Sequence, residues 1–237
     1  MRLTENRTAK ANPSTTAAAA TTGAAKGRAS RKLARHDPIR PQGTERAIRD
    51  LEDATHRFSA RRQRDLLPGK LVTRRLVLRA LTRGDAPELA RLANNRAIAE
   101  RLALLPHPYG LRDALDFIED FSLRPSQRPY AITLREKFVG VVGLAFQERT
   151  APELGYWLGE PYWGQGIATE AARALVDAAL QSGQFERIAA RALAENTASL
   201  HVLEKLGFKR IGEDVSVAPL SAGKPRILLE LRRPRWM

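Results

Sequence analysis

The chain has 237 residues, with 40 Lys/Arg against 26 Asp/Glu, a formal net charge of +14, and no cysteine. That length accommodates one domain of about 150–200 residues plus an extension. Without thiols there is no disulfide, thiolate metal site or cysteine nucleophile; the four histidines (His36, His56, His107, His201) lack metal-ligand spacing, and no apolar run reaches the roughly 20 residues of a membrane span.

The charge is uneven. Residues 1–69 carry 15 Lys/Arg and 7 Asp/Glu, leaving the rest with 25 and 19. Fewer than a third of the residues thus hold more than half the net charge. Met1 to about Arg40 is rich in Ala, Thr and Ser and nearly devoid of large apolar residues. Such a segment cannot bury enough surface to offset its ordering entropy, so it is expected to be disordered. It lacks the apolar core of a secretory signal, and its composition is similar to that of a transit peptide or a bacterial extension. A short helix is expected within residues 45–67, with Leu51, Thr55 and Phe58 on one side and Arg61, Arg62 and Arg64 at its end. Basic residues there suit ribosome or RNA contact, or simply a solvated linker. Pro68-Gly69 marks a boundary. Residues 1–69 therefore read as a basic extension and 70–237 as the folded domain.

From Leu71 the pattern turns regular. Leu71 to Arg79 alternates and reads as one strand. Thr82-x-x-Asp85 opens a helix whose apolar side is Leu89, Leu92, Ala93 and Ile98. Pro106-His-Pro-Tyr-Gly110 is a rigid loop offering two groups useful for chemistry, His107 and Tyr109. Asp113 to Phe121 reads as a second helix. Tyr130–Leu134 and Phe138–Phe146 read as paired strands joined at Arg135-Glu136-Lys137.

Glu153 to Ala171 organises the rest. Glu153–Leu158 suits a half-buried strand. Gly164 and Gly166 flank Gln165, and a helix follows to about Gly183, with Ile167, Ala171, Leu175, Ala179 and Ala168, Ala172, Val176, Leu180 on one face. The first amides of a helix lack intrahelical partners, and the helix dipole adds about half a positive charge there. Glycines allow close approach and positive φ. The turn is therefore an anion cradle suited to phosphate or pyrophosphate. Its G-x-G-x-A spacing is neither a Rossmann fingerprint nor a P-loop. A strand follows at Arg187–Leu193. Asn196 then caps a helix with Leu200, Leu203 and Leu206 as its apolar stripe. Gly207 fits the left-handed position after that helix, with Phe208 as its apolar contact. Strands beginning at Lys209 and Gly223 close the chain.

The run Trp163-Gly-Gln-Gly-Ile-Ala168 resembles the cofactor motif Gln/Arg-x-x-Gly-x-Gly/Ala of the GNAT acyltransferases, with Trp163 where Gln or Arg is usual. Tyr-Trp-Gly-Gln-Gly is similar to the Rim-type branch, which includes acetyltransferases of ribosomal-protein N-termini. Asn196-Thr-Ala-Ser199, ending in Glu204-Lys-Leu-Gly-Phe208, resembles the family's second cofactor segment. The tyrosine that many relatives carry before Glu-Lys is replaced here by Leu203. The order of elements also matches, over about residues 70–233.

The resemblance implies an α/β (α+β) fold, a mixed central sheet with splayed fourth and fifth strands and helices on both faces. It implies direct acetyl transfer from acetyl-CoA to a primary amine, without an acyl-enzyme and without a metal. Backbone groups of Tyr156, Trp157 and Leu158 would bind pantetheine and polarise the thioester. The turn Trp163, Gly164, Gln165, Gly166, Ile167, Ala168 and Thr169 would hold the pyrophosphate. Asn196 would bond the cofactor arm and Ser199 would protonate the departing thiolate. Glu153 is the candidate base, and His107 and Tyr109 are candidate acceptor contacts. The acceptor is expected to be a protein N-terminus, a ribosomal protein's above all, in the cytoplasm and away from membranes. Two alternatives stay open: a small-molecule amine acetyltransferase, and a non-catalytic RNA- or ribosome-associated protein with a degenerate domain.

Overall fold

The structure is a computed structural model that describes residues 42–102, 105–147 and 150–233. The disorder expected of Met1 to about Arg40 concerns residues outside these. Helix α1 (Gln42–Asp65) leads into the domain. Its Leu51 and Phe58 are exposed, while Leu67 just beyond it is buried. Arg128 donates to the carbonyls of Leu67 and Pro68, and the Tyr130 hydroxyl donates to Pro68 O at 2.6 Å. These bonds fix the junction to the sheet.

Residues 71–79 form a hairpin rather than the single strand expected. β1 (Lys70–Val72) and β2 (Leu76–Arg79) pair antiparallel. Thr73 explains the reversal: its N–H donates to Leu76 O at 2.9 Å and its hydroxyl accepts from Leu76 N–H at 2.9 Å. A threonine hydroxyl that satisfies backbone locally competes with the ladder. Alternation alone does not register such a bend.

The Thr82 opening is present as a capping box with Asp85, but the helix does not continue to Ile98. α2 (Ala86–Ala93) stops, and Asn95 caps a new short helix, α3 (Arg96–Ala99), by accepting from Ile98 N–H. α4 (Leu111–Glu119) follows. β3 (Gln127–Leu134) and β4 (Lys137–Ala145) are joined by Arg135 and Glu136, both at positive φ, in a two-residue turn. Pro129 lies beyond the last β2–β3 pair, Arg79 with Ala131, so its missing N–H costs no bond on that side. Then come β5 (Glu153–Leu158), α5 (Ile167–Gln181), β6 (Arg187–Leu193), α6 (Thr197–Leu206), β7 (Lys209–Val215) and β8 (Pro225–Arg232).

Among the described residues the strands form one 8-stranded sheet in the order β1-β2-β3-β4-β5-β6-β8-β7. β5 and β6 are its parallel pair, the other neighbours being antiparallel. Strand alternation splits the core in two. Leu154, Leu158, Ile188 and Ala190 join α5 and α6 on one face, whereas Phe138, Val141 and Trp157 join α2 and α4 on the other.

Candidate cofactor and acceptor site

β5 and β6 pair only at Glu153 with Ala189 and Leu154 with Ala190. Gly155 to Leu158 have no partner on β6, so the strands part there. The splayed pair, expected as the fourth and fifth strands, is the fifth and sixth, because β1 and β2 form a hairpin where one strand was expected. The gap belongs to a cavity of about 1030 Å³.

One end of the cavity is the glycine turn. Gly164 and Gly166 adopt φ of 72° and 73°, a region that side chains other than Gly rarely occupy. α5 begins at Ile167, so its first amides have no intrahelical acceptor. Trp163 spends its indole N–H internally, donating to Leu158 O at 2.8 Å, and so ties the turn to the end of β5. Gln165 donates to Pro161 O and does not line the cavity. Every other residue assigned to the cofactor does line it, from Tyr156, Trp157 and Leu158 through the turn to Thr169 and to Asn196 and Ser199.

The β1–β2 bend braces this turn from behind. Glu170, in the first turn of α5, accepts from the Thr73 hydroxyl at 2.6 Å, from Arg75 N–H at 3.0 Å and from Arg75 Nε at 2.7 Å. Arg75 Nη1 also donates to Gln165 O at 3.1 Å. Burial pushes the Glu170 carboxyl up, but the Thr73 and Arg75 hydrogen bonds outweigh it and hold the group below its ordinary range. Arg75 thus places a guanidinium beside the cradle, with Nη2 3.7 Å from where a Cβ on Gly166 would stand. Helical spacing turns Glu170 outward from the apolar face of α5, and nothing in the sequence pattern pairs it with Arg75.

On α6, Asn196 Oδ1 accepts from Ser199 N–H, as expected of a cap. The Ser199 hydroxyl lies 2.9 Å from the Tyr156 hydroxyl. Tyr156 projects from β5 toward α6, and burial pushes its phenol up to about 12, with the Ser199 bond opposing that rise. Tyr156 had been assigned for its backbone alone.

The opposite wall comes from α4 and the loop before it. Asp113, Asp116, Phe117, Asp120 and Phe121 line the cavity, and the two phenylalanine rings stack at 5.2 Å. Tyr109 lines it too, but is 5% exposed and donates its hydroxyl to Asp113 O at 3.1 Å. Burial and the Asp113 and Asp116 carboxylates push that phenol far up, so it stays a neutral donor. His107 is exposed and does not line the cavity. Glu153 does line it, yet both its oxygens accept from the guanidinium of Arg191, with Nε at 2.9 Å. Gly155, on the same side of β5 as Glu153 and Trp157, has nothing within 4 Å of where a Cβ would be.

Comparison with known proteins agrees with this architecture. Residues 75–209 match the model of the acetyltransferase (GNAT) domain. The chain belongs to the GNAT acetyltransferase family. It is 32% identical over 148 residues, 60% of this chain and 83% of the relative, to an uncharacterized N-acetyltransferase p20 of Bacillus licheniformis. The fold is shared with RimL, a ribosomal L7/L12 alpha-N-protein acetyltransferase solved with coenzyme A (TM-score 0.61, 21% identity, 70% of this chain and 97% of that one). It is shared equally with a Vibrio cholerae spermidine N-acetyltransferase solved with CoA and spermine (TM-score 0.59, 20% identity, 68% and 98%). Among the described residues no cluster of His, Asp or Glu is placed to hold a metal ion, and no helix is long and apolar enough to cross a membrane.

Proposed function

We propose that this enzyme transfers an acetyl group from acetyl-CoA directly to a primary amine, with a protein N-terminus, that of a ribosomal protein, as the acceptor. One observation carries the reading: the gap opened where β5 leaves β6 joins the unpaired amides of α5 to the Ser199 hydroxyl within a single cavity. A thioester bound there supplies the activated acyl group. Amides from Gly164 to Ala168 hold the pyrophosphate, Gln165 contributing backbone only, and Asn196 bonds the cofactor arm. Backbone groups of Tyr156 to Leu158, which β6 leaves unpaired, bind pantetheine and polarise the carbonyl; one such oxyanion donor is commonly worth about 3–4 kcal/mol. Ser199 gives a proton to the departing sulfur. The acceptor ammonium loses its proton to water in the cavity, and Glu153, held by Arg191, orients that water. Tyr109 shapes the acceptor wall through its ring, and His107 takes no part in it.

A second reading is favoured by Asp113 and Asp116, which put two carboxylates on the α4 wall despite the chain's +14 charge, while the third, Asp120, is paired with Arg124. Carboxylates there suit a small polycationic amine. The RimL likeness supports the first reading and the spermidine enzyme the second. Compartment and ribosome contact follow the first: cytoplasmic, with the basic segment before α1 meeting RNA.

N-terminal peptide mass spectrometry of cells with and without this gene separates the two. Loss of acetylation on one or a few ribosomal proteins establishes the first reading. No change anywhere, with turnover of a polyamine by the purified protein, establishes the second. If acetyl-CoA fails to raise the unfolding temperature, the chain is a non-catalytic member and both fall.

A further inference from the structure

We infer that Tyr156 is a positioning residue for the leaving group: its hydroxyl donates to Ser199 Oγ and so directs the single Ser199 proton at the departing sulfur. This rests on the acetyl-transfer reading. The proton arithmetic is simple. The Tyr156 hydroxyl lies 2.9 Å from Ser199 Oγ and 3.1 Å from the Ser199 carbonyl, and it has one proton to give. If it gives that proton to the carbonyl, the serine must donate back to the phenol, and nothing points into the cavity. If it gives it to Oγ, the serine proton is released toward the cavity, which both residues line. Negative charge growing on a sulfur nearby selects the second arrangement. A donor bonded to another donor is also a stronger one.

Burial suits Tyr156 to the task. It resists ionisation up to about pH 12, so the phenol stays a donor throughout the working range. It remains protonated: when the C–S bond breaks, the electron pair leaves with sulfur and sulfur takes the Ser199 proton. The serine oxygen is then reprotonated, through water, by the proton that the acceptor nitrogen sheds as its C–N bond forms. No oxidant or further reactant is needed. Leu203 is buried at the position where many relatives hold a tyrosine, so the phenol enters from the sheet instead of the helix.

The test uses coenzyme A itself, so no acceptor has to be known. The thiol of bound coenzyme A is titrated by its thiolate absorption in wild type, Tyr156→Phe and Ser199→Ala. Hydroxyl donors favour the thiolate, so Ser199→Ala should titrate about one pH unit higher than wild type, the tenfold effect of one lost hydrogen bond to a charged atom, and Tyr156→Phe, which keeps the serine but loses the bond that directs it, should move the same way by less. The other ionisable side chains lining the cavity from β6, α6 and the turn between them, Arg191, Glu195, His201 and Lys205, are unchanged in all three proteins. A purely structural role for Tyr156 would lower the unfolding temperature and leave the titration where it was. An unmoved titration in Tyr156→Phe with a raised one in Ser199→Ala removes Tyr156 and keeps Ser199. If Ser199→Ala is unmoved the couple is overturned, even should Tyr156→Phe not fold. If coenzyme A does not bind wild type, the underlying reading is what fails.

Discussion

The two walls of the cavity are built from different materials. The α5–α6 wall offers mainly backbone: the left-handed turn at Gly164 and Gly166, the first amides of α5, and the open edge of β5, with two hydroxyls added at Tyr156 and Ser199. The α4 wall offers side chains: three aspartates, stacked phenylalanines, Tyr109, and the Glu153–Arg191 pair across from them. Backbone recognition requires a geometry, which glycines and a helix start can specify. Side-chain recognition requires identities, which can change without disturbing the fold. On the proposed reading the common ligand belongs to the first wall and the particular acceptor to the second, and that division can be broken from either side.

The largest effect is expected at Gly166. Gly166→Glu forces a residue with a Cβ into φ of 73° and sets a carboxylate against the anion site. Acetyl-CoA affinity should fall more than 100-fold by calorimetry. Retained affinity would remove the cradle from the mechanism. Next comes Gly155→Val on the acceptor side of β5. Its methyls enter space that is open in the native protein, so kcat/KM for the acceptor should fall about 100-fold while acetyl-CoA affinity holds, the loss being of orientation alone. Parallel loss of both would mean that the two walls are not separable. Ser199→Ala should lower kcat about 100-fold, the low end for the loss of a positioned acid, with cofactor affinity nearly intact; a kcat equal to wild type takes the serine out of the reaction.

Asp116→Asn is expected to do less but to discriminate more. It should weaken a polycationic acceptor about 5-fold and leave a neutral-flanked peptide N-terminus unaffected, since an exposed ion pair contributes at most about 1 kcal/mol. Equal loss for both acceptors would show that Asp116 shapes the wall without reading charge.

The same contrast explains what could be read in the sequence. Gly164, Gly166, Asn196 and Gly207 were legible because each acts within one turn of chain. Gly207 sits at φ of 93°, and Phe208 N–H returns to Leu203 O at 3.0 Å, as a helix end requires. The glycine spacing also carried the resemblance to the family. What stayed hidden joins distant segments. Thr73 meets Glu170 across 97 residues, Tyr156 meets Ser199 across 43, and Arg191 meets Glu153 across 38. No periodicity encodes such pairs. Glu153 illustrates the cost: as a strand-end carboxylate it looked available as a base, and its partner lay on the next strand. The break at Asn94 and Asn95 was hidden for another reason, since the apolar spacing continues through it to Ile98, which is buried as expected.

The smallest expected effect compares one brace on each side of the sheet. Asp85, at the start of α2, is 6% exposed and bonded by Arg79 at 2.7 Å through both oxygens. Glu170, at the start of α5, is more open at 19%. Burial raises each carboxyl, and hydrogen bonds from Arg79 and Thr82, or from Thr73 and Arg75, outweigh it, so both lie below their ordinary values. A carboxyl whose folded value is depressed contributes stability that is fully present above its unfolded value, about 4, and is lost as pH falls through the folded one. At pH 7, Asp85→Asn should cost about 2 kcal/mol, less than a wholly buried pair because Arg79 reaches solvent, and Glu170→Gln about 1 kcal/mol or less. Urea midpoints at pH 7 and near pH 3 measure this. Both differences should shrink at the lower pH, where the native carboxyls begin to take up the proton that each amide mimics. A difference that is the same at both pH values would mean that the amides act by misfitting the site, and that charge contributes nothing to either brace.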